Sequence, residues 1–372
     1  MTPQHLYVHV PFCLRRCSYC DFAVSAQREP PIAAWLDAIE RELELRSHAR
    51  EFETLVLRTI YVGGGTPSLL GPGGMAELAR RLRRFAAWDA DAEWTAEANP
   101  ETFTHELAAD WREAGVNRIS LGAQTFAAAA LSWMGRLHGP DGPAKALSAA
   151  RDAGFDNVGL DLIFGLPERL ERDWSADLDR ALVLAPEHLS LYGLTAEPAT
   201  PLGRWVKEGK EVMPDEERYE AEYLEAVERL SVAGYAHYEV SNFARPGRAS
   251  RHNRAYWEGA AWVGLGPGAH SYLPPRRSWN VRDWAEYRDR VLAGTLPEES
   301  RETVDAAGHA LERTWLGLRT TVGLGGLSDR QREMVRTWCD RGWARWLDDR
   351  IMLTPRGWLL LDRLVVELDG AA

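Results

Sequence analysis

Three cysteines stand within eight residues near the start of the chain. Cys13, Cys17 and Cys20 have the spacing Cys-x3-Cys-x2-Cys, and the fourth cysteine, Cys339, lies far away in the sequence. Because an odd number of clustered thiols always leaves one unpaired, disulfides alone do not explain this group. Iron–sulfur clusters are held by Cys thiolates, usually four. Three thiolates would leave one iron without a protein ligand, and that open position can bind a small molecule.

Two other interpretations of the cysteines stay open. Zinc is commonly bound by three thiolates and one imidazole, and His9 is the nearest candidate for the fourth ligand. Against zinc, His9 alternates with Tyr7 and Val8 in a strand-like segment, and zinc ligands usually come as two separated pairs. The thiols could also stand together by chance. The spacing favours the cluster.

A glycine-rich stretch, GGGTP at residues 63–67, is the second candidate site. Glycines after a strand carry no side chains, so a ligand can approach the backbone N–H groups of Gly64 and Gly65 closely. The same residues are also typical of a tight turn between a strand and a helix. The stretch alone does not decide between these two roles.

The composition excludes some classes of protein. The chain has 372 residues, 45% of them hydrophobic, and a net charge of −11. An acidic chain is not a general nucleic-acid binder, which needs basic side chains for phosphates. No apolar run is long enough to span a bilayer, and the first residues lack the pattern of a signal peptide. Few cysteines and reduced-thiol chemistry predict a cytoplasmic protein.

Strand-like and helix-like segments alternate through the first half of the chain, as in parallel βαβ units. The pattern predicts an α/β fold with an incomplete, TIM-like (β/α)6 barrel. Ligands of such barrels bind on the loops after the strands. The cysteines, Gly63–Thr66, Glu97, Gln124 and Asp161 should therefore face one mouth. The six predicted strands are LYVHVPF (6–12), RTIYVGGG (58–65), AEWTAEANP (92–100), NRISLGAQ (117–124), NVGLDLIFGLP (157–167) and HLSLYGLT (188–195).

Three domains are predicted. Residues 1–234 form the barrel, with a first helix over Pro31–Arg50. Residues 235–298 form a connecting segment that is rich in glycine and aromatic residues and contains HNRAYW, His252–Trp257. In residues 299–372, two helices, at about 299–320 and 331–342, precede a strand, a turn and a last helix. This order predicts a small α+β, winged-helix-like domain that contacts protein or substrate rather than DNA.

The cysteine spacing, followed by Tyr19 and Asp21 and by the GGGTP stretch on the next strand, resembles the radical S-adenosylmethionine (SAM) family. The resemblance implies a 4Fe–4S cluster on Cys13, Cys17 and Cys20, with the amino and carboxylate groups of SAM on the open iron. A carboxylate suits ribose hydroxyls, and a guanidinium can pair with the SAM carboxylate. The residues that match the family's SAM-binding positions are Tyr7, Gly64, Gly65, Thr66, Glu97, Gln124, Arg136 and Asp161.

Within that family the chain resembles the branch that contains oxygen-independent coproporphyrinogen III dehydrogenase. The dehydrogenase pattern has a fourth cysteine where this chain has Phe22, and it has an N-terminal extension that we do not expect here. The segment HNRAYW instead matches the His-Asn-x-x-Tyr-Trp motif of HemW-type heme chaperones. The resemblance implies that His252 binds heme iron, beside Tyr256 and Trp257. The alternatives are a packed lid over the barrel, or another ligand among His138, His237 and His270.

The expected function is that of a heme chaperone, which binds heme and transfers it to apo-hemoproteins such as membrane respiratory enzymes. The resemblance implies that the cluster supports transfer and a possible homodimer rather than turnover. Peripheral membrane contact is compatible with this role. Two alternatives stay open: a radical SAM enzyme that acts on a porphyrin, such as the coproporphyrinogen dehydrogenase, and a structural module with zinc at the cysteines.

Overall fold

The computed structural model describes residues 3–49, 51 and 55–370. The outer ends of the first and last predicted domains, at residues 1–2 and 371–372, lie outside the described residues. Arg50, the predicted end of the first helix, lies outside them as well.

The first half alternates strands and helices as predicted. Thr104 caps α3, because its side chain accepts a hydrogen bond from the backbone of Leu107, and Gly115 ends this helix at a φ of 107°. The elements are β1 (His5–Val10), β2 (Phe12–Cys13), β3 (Ser25–Ala26), α1 (Ile32–His48), β4 (Leu55–Gly64), α2 (Gly74–Leu82), β5 (Ala86–Ala98), α3 (His105–Ala114), β6 (Arg118–Gln124), α4 (Ala128–Met134), α5 (Gly142–Asp152), β7 (Val158–Phe164), α6 (Trp174–Leu184), β8 (His188–Gly193), α7 (Pro201–Lys207) and α8 (Glu216–Val232).

The second half mixes short strands with helices. Its elements are β9 (Ala236–Glu239), β10 (Asn242–Ala244), α9 (Arg251–Trp257), β11 (Trp262–Leu265), β12 (His270–Leu273), β13 (Arg276–Asn280), α10 (Trp284–Leu292), β14 (Glu298–Thr303), α11 (Ala306–Leu318), α12 (Asp329–Asp340), β15 (Ala344–Leu347), β16 (Arg350–Leu353), α13 (Pro355–Trp358) and α14 (Leu361–Asp369).

The main sheet has the strand order β14-β13-β12-β11-β1-β4-β5-β6-β7-β8-β10-β9. The six predicted strands, β1 and β4 to β8, are parallel to one another. The open order of the sheet confirms an α/β fold with an incomplete barrel. Their buried core includes Trp35 on α1, Trp94 on β5 and Trp111 on α3, each about fully buried. These Trp residues are core residues rather than ligand contacts.

The segment at residues 235–298 differs from the expected connector. Its strands β9 and β10 extend the sheet beyond β8, and β11 pairs in parallel with β1 on the other side. WVGL has only four residues, and RRSWN is buried only in part, so the strand character of both depends on neighbours that lie far away in the sequence. The segment is therefore a structural part of the sheet, and it carries HNRAYW on α9.

The last part of the chain forms a second core. The predicted first helix begins only at Ala306, because residues 298–303 pair as β14 with β13, where Arg277 and Glu302 are 3.0 Å apart. Asp305 caps the helix by accepting from the backbone of Gly308. The second helix, the β15–β16 hairpin and a last helix follow it. The turn predicted at Pro355–Gly357 is instead the short helix α13. A relation to winged-helix domains stays a prediction.

Candidate functional site: a polar cavity at the barrel mouth

The cysteine loop follows β1 and is fixed by neighbouring backbone. Ser18 donates its N–H to the carbonyl of Met134 at the end of α4, at 3.1 Å, and accepts from the N–H of Leu202 on α7, at 2.9 Å. The side chain of Arg282 also binds Asp21 at the end of the loop. The loop is therefore held by α4, α7 and the segment between β13 and α10, although it has little regular structure of its own.

The three cysteines line one cavity of about 1030 Å³, which we call the cluster cavity. It lies where the parallel strands end, as the barrel rule predicts. All eight residues that the family resemblance assigns to SAM also line this cavity: Tyr7, Gly64, Gly65, Thr66, Glu97, Gln124, Arg136 and Asp161. The expectation that the cysteines, Gly63–Thr66, Glu97, Gln124 and Asp161 face one mouth agrees with this arrangement, and the roles of all eight residues stay predictions.

Two polar side chains approach the thiols. The Thr66 hydroxyl is 3.4 Å from Cys13 Sγ, and the Arg136 guanidinium is 3.9 Å from Cys17 Sγ. Burial raises the pKa of the Cys13 thiol to about 11, while the Thr66 hydrogen bond opposes the rise. Because a metal deprotonates a coordinating thiol outright, this pKa does not prevent Cys13 from acting as a ligand.

The donors fit an iron–sulfur cluster better than zinc. Within the described ranges, no three Cys, His, Asp or Glu side chains gather closely enough to hold a single metal ion. Zinc would need each thiolate at about 2.3 Å from one centre, whereas a cluster takes its thiolates on different irons. His9, the fourth ligand considered for zinc, has Nε2 at 2.8 Å from the carbonyl of Ala23 and Nδ1 at 3.0 Å from the Tyr7 hydroxyl.

The glycines of the GGGTP stretch are required by close packing. A Cβ on Gly65 would lie 2.6 Å from the carbonyl oxygen of Phe12 and 2.7 Å from that of Val10. Gly64 has a φ of 103°, and a Cβ there would meet the ring of His9. The tight turn considered from the sequence is therefore real. It brings the cysteine loop and the second strand close together, whether or not a ligand touches these glycines.

Glu97 at the end of β5 accepts two hydrogen bonds. The Tyr61 hydroxyl donates to Oε1 at 2.7 Å, and the backbone N–H of Gly64 donates to Oε2 at 3.0 Å. Burial raises the pKa of the carboxyl to about 7, and these two bonds oppose the rise. Each oxygen retains a lone pair for a ligand donor, as a contact with ribose hydroxyls requires.

Asp161 lies within β7, and Gln124 ends the neighbouring strand β6. The Ser120 hydroxyl is 3.0 Å from Asp161 Oδ1, and burial raises the pKa of this carboxyl. Gln124 has a φ of 65°, a left-handed conformation that costs a residue with a side chain of order 1–3 kcal/mol. Such strain persists where surrounding structure imposes it, and here it lies at the cavity.

Arg136 is engaged more fully than the sequence suggests. Its Nη2 donates to Asn99 Oδ1 at 2.7 Å and to the carbonyl of Gly122 at 2.8 Å. Asn99 also donates to the Thr66 hydroxyl at 3.0 Å, so it links the arginine to the GGGTP stretch. Sequence reasoning missed Asn99, although its place directly after β5, two residues beyond Glu97, is a usable signal.

His252 lies apart from the cluster cavity. It is 1% exposed, Nδ1 is 2.7 Å from the Thr59 hydroxyl, and Nε2 is 2.8 Å from the Tyr256 hydroxyl. Burial lowers the pKa of the imidazole to about 3. Both ring nitrogens are therefore occupied in this conformation, while Tyr256 and Trp257 of the same motif do line the cavity.

The competing histidines differ in their surroundings. His237 is packed against the ring of Phe243, with 3.9 Å between centroids, and burial lowers its pKa to about 3. His138 is buried beside Arg136, with its Nε2 at 3.4 Å from the arginine Nε. His270 is exposed, borders the cluster cavity and stacks on Trp279. None of the three lies beside His252 in the described contacts.

Known proteins share both the sequence and the fold. The family model of the radical SAM superfamily matches residues 7–181. The heme chaperone HemW of Mycobacterium tuberculosis (strain CDC 1551 / Oshkosh) is 40% identical over 379 residues, covering 99% of this chain and 95% of that protein. The chain belongs to the HemW family of heme chaperones. Escherichia coli (strain K12) HemW is 38% identical over 274 residues, covering 73% of this chain and 70% of that protein.

A solved structure supports the fold. Coproporphyrinogen III oxidase (HemN) from Escherichia coli, described as a radical SAM enzyme, superposes with a TM-score of 0.84 over 100% of this chain and 91% of that one. At 23% identity, this likeness shows the architecture alone. In the described part of the chain, no helix combines the length and the apolar character needed to cross a membrane.

Proposed function

We propose that this protein is a heme chaperone that binds heme and transfers it to apo-hemoproteins. The observation that carries the proposal is the 40% identity to a heme chaperone HemW over 99% of the chain. The resemblance of HNRAYW to the motif of HemW-type heme chaperones supports the same function. Respiratory enzymes of the membrane are the recipient class, reached from the cytoplasm through peripheral contact, and a homodimer is the proposed assembly.

Cys13, Cys17 and Cys20 would hold a 4Fe–4S cluster, and the other residues of the cluster cavity would bind SAM. When bound, the cluster offers one iron without a protein ligand and electrons for reduction. The protein's own part is to fix the ligand. Glu97 would accept hydrogen bonds from ribose hydroxyls, and Arg136 would place positive charge near the SAM carboxylate. Tyr7, Gln124 and Asp161 would complete this site.

The family resemblance implies that His252 is the heme ligand. The hydrogen bonds of this residue show what would have to change before it could bind iron. Iron needs a ring nitrogen with a free lone pair, yet both nitrogens lie within hydrogen-bond distance of hydroxyls, on Thr59 and Tyr256. Heme binding through His252 would therefore require a rearrangement that releases Tyr256 from Nε2. The absorption spectrum of heme bound to the full chain and to its His252 variant tests this requirement.

The proposed role does not include coproporphyrinogen dehydrogenation. Phe22 replaces the fourth cysteine of the dehydrogenase pattern, and it is 62% exposed at the rim of the cluster cavity. The polar residues for SAM are all present, so SAM cleavage has to be measured directly. Anaerobic protein with a reconstituted cluster would be incubated with SAM, dithionite and coproporphyrinogen III. We expect no protoporphyrinogen; its formation would establish the enzyme instead.

The transfer function is tested on the same preparation. The protein would be loaded with one equivalent of heme, separated from free heme and mixed with an apo-hemoprotein whose holo-spectrum differs from its own. We expect the spectrum of the acceptor to appear faster than it does with heme bound to serum albumin. A protein that binds heme but never releases it to the acceptor would be a heme-binding protein without chaperone function.

A further inference from the structure

A second, larger cavity lies between the sheet and the C-terminal core. Its volume is about 1250 Å³, and we call it the junction cavity. One wall comes from α9, β11 and β12, and the opposite wall comes from α11, the loop at residues 320–325 and α14. The volume exceeds that of most small-molecule sites, which measure roughly 300–1,000 Å³.

The walls of the junction cavity are aromatic and aliphatic. Tyr256 and Trp257 of the HNRAYW motif lie on the first wall with Trp262 and Tyr272, and Trp315 lies opposite. Exposed apolar side chains are concentrated here: Leu311, Trp315, Val322 and Val366 are 40%, 37%, 55% and 71% exposed. Contiguous exposed apolar surface of this kind marks a binding site. A flat apolar ligand between two walls would cover it.

An imidazole with a free nitrogen also lines the junction cavity. His309 is half-buried on α11, and its Nδ1 is 3.3 Å from the Tyr272 hydroxyl. Its Nε2 has no hydrogen bond within the described parts of the chain. A hydrogen bond at one ring nitrogen fixes the orientation in which the other can bind a metal. His252, by contrast, has both nitrogens occupied.

Basic side chains border the same cavity and suit an anionic ligand. Arg313 has no ion pair in the described structure, and Arg254 pairs only with Glu258, at 3.2 Å, on the surface of α9. Arg277 and Arg350 lie further round the rim. The facing acids are Glu258, Glu312 and Asp362, so positive charge is in slight excess. Guanidinium groups bind carboxylates well because they can donate two parallel hydrogen bonds.

We propose that the junction cavity binds heme, with His309 as the axial ligand and the arginines near its two carboxylates. The ligand would need a flat apolar body, an iron that accepts an imidazole, and anionic groups at one edge, and heme has all three. This assignment replaces the one that the family resemblance implies for His252. His252 is then a positioning residue, because its Nε2 is 2.8 Å from the hydroxyl of Tyr256, which forms part of the wall. The inference rests on the proposed function, since it assigns the heme site of that chaperone.

Heme titration of the full chain tests the axial ligand. His309→Ala is expected to lose the Soret signature of imidazole-ligated heme and to lower affinity at least about tenfold, comparable to the loss of a metal-site contact. Added imidazole should restore the signature, since the cavity itself remains. His252→Asn should keep the signature while affinity falls, and imidazole should not rescue it. His105→Ala is the matched control, because this histidine is exposed at the start of α3 and lines neither cavity.

The outcomes separate the site from the function. Unchanged spectrum and affinity in His309→Ala, or loss of the signature in His252→Asn alone, would overturn the assignment of His309 while heme binding stands. A wild-type protein that binds no heme would instead overturn the proposed function itself.

A second pair of variants tests the cavity without touching a histidine. Leu311→Asp puts a charge among the apolar walls, where it should repel the heme carboxylates and lower affinity about tenfold, the equivalent of 1.4 kcal/mol. Leu292→Asp changes an equally apolar and more exposed residue, on α10 outside the cavity, and should leave affinity unchanged. Equal heme affinity in the two variants would exclude the junction cavity as the site.

Discussion

The cluster cavity and the junction cavity share an aromatic wall but are built in different ways. Tyr256, Trp257 and Trp262 line both of them. The cluster cavity collects polar residues from the ends of parallel strands, and these residues bind one another: Glu97 with Tyr61, and Arg136 with Asn99. The junction cavity instead lies where two hydrophobic cores meet.

The two cavities differ in how firmly their polar groups are held before a ligand binds. In the cluster cavity, the polar groups are fixed by one another before a ligand arrives, as precise positioning requires. In the junction cavity, exposed apolar walls meet polar groups that have few partners, such as Arg313 and His309. A cavity that must release its ligand benefits from few directional contacts, because each adds to the barrier to dissociation. The following predictions separate the two cavities.

The largest expected effect is loss of the cluster from Cys17→Ala. Removing one of three thiolates should abolish a stable 4Fe–4S cluster after anaerobic reconstitution, because the remaining two leave a second iron without a protein ligand. Iron and sulfide content and the visible absorption of the protein measure this. Heme affinity at the junction cavity should stay within about twofold. Cys339→Ala, in the second core, is the control and should keep the full cluster.

The next effect is on stability. Gly65→Ala places a Cβ 2.6 Å from the carbonyl oxygen of Phe12. This oxygen belongs to the backbone, so it cannot move away as the end of a flexible side chain could. We expect the free energy of unfolding to fall by about 3 kcal/mol, at the upper end of the cost of overpacking. Gly139→Ala, with no atom within 4 Å of the new Cβ, should be neutral or slightly stabilising. Urea unfolding of both variants measures the difference, and equal midpoints would show that the turn is not strained.

Much of the cluster cavity could be predicted from the sequence because its parts obey local rules. Strand ends in a parallel sheet meet at one edge, so placing Cys13, Gly64, Glu97 and Asp161 after or within strands was enough to bring them together. The strained φ of Gln124 and the link through Asn99 depend on contacts between strands. The sequence shows no sign of the strain at Gln124, and only the position of Asn99, two residues after Glu97, points to the link.

The junction cavity could not be predicted in the same way. Its walls carry Trp257 and Trp315, whose segments are separated in sequence and meet only when the C-terminal helices pack on the sheet. The resemblance of HNRAYW to the motif of HemW-type heme chaperones drew attention to His252, but its burial and its contact with the Thr59 hydroxyl depend on tertiary structure. Residues 235–298 were similarly interpreted as a connector, because strands that pair only at an edge are short and carry weak patterns.

A smaller effect concerns pH. Because the pKa of Glu97 is about 7 in the folded protein, the folded state holds a proton that the unfolded state loses near pH 4.5. Wild-type stability should therefore fall as pH rises from 4.5 to 7, relative to Glu97→Gln, by on the order of 2 kcal/mol. Denaturant unfolding of both proteins at pH 4.5 and pH 8 measures this. If the stability of the two proteins changed with pH in the same way, the Glu97 carboxyl would be charged over this whole pH range.

The smallest and most specific effect concerns the shared wall. Trp257 borders both cavities, and the guanidinium of Arg319 lies over its ring at 4.8 Å and over Trp315 at 4.5 Å. Trp257→Ala should weaken both SAM and heme binding about fivefold, as expected for one lost aromatic contact. Trp315→Ala removes an aromatic from the junction cavity alone, so it should weaken heme binding and leave SAM binding unchanged. Calorimetric titration of each ligand would distinguish these cases. If Trp315→Ala lowered the affinity for SAM as well, the two cavities would be energetically linked through Arg319 rather than separated by the wall.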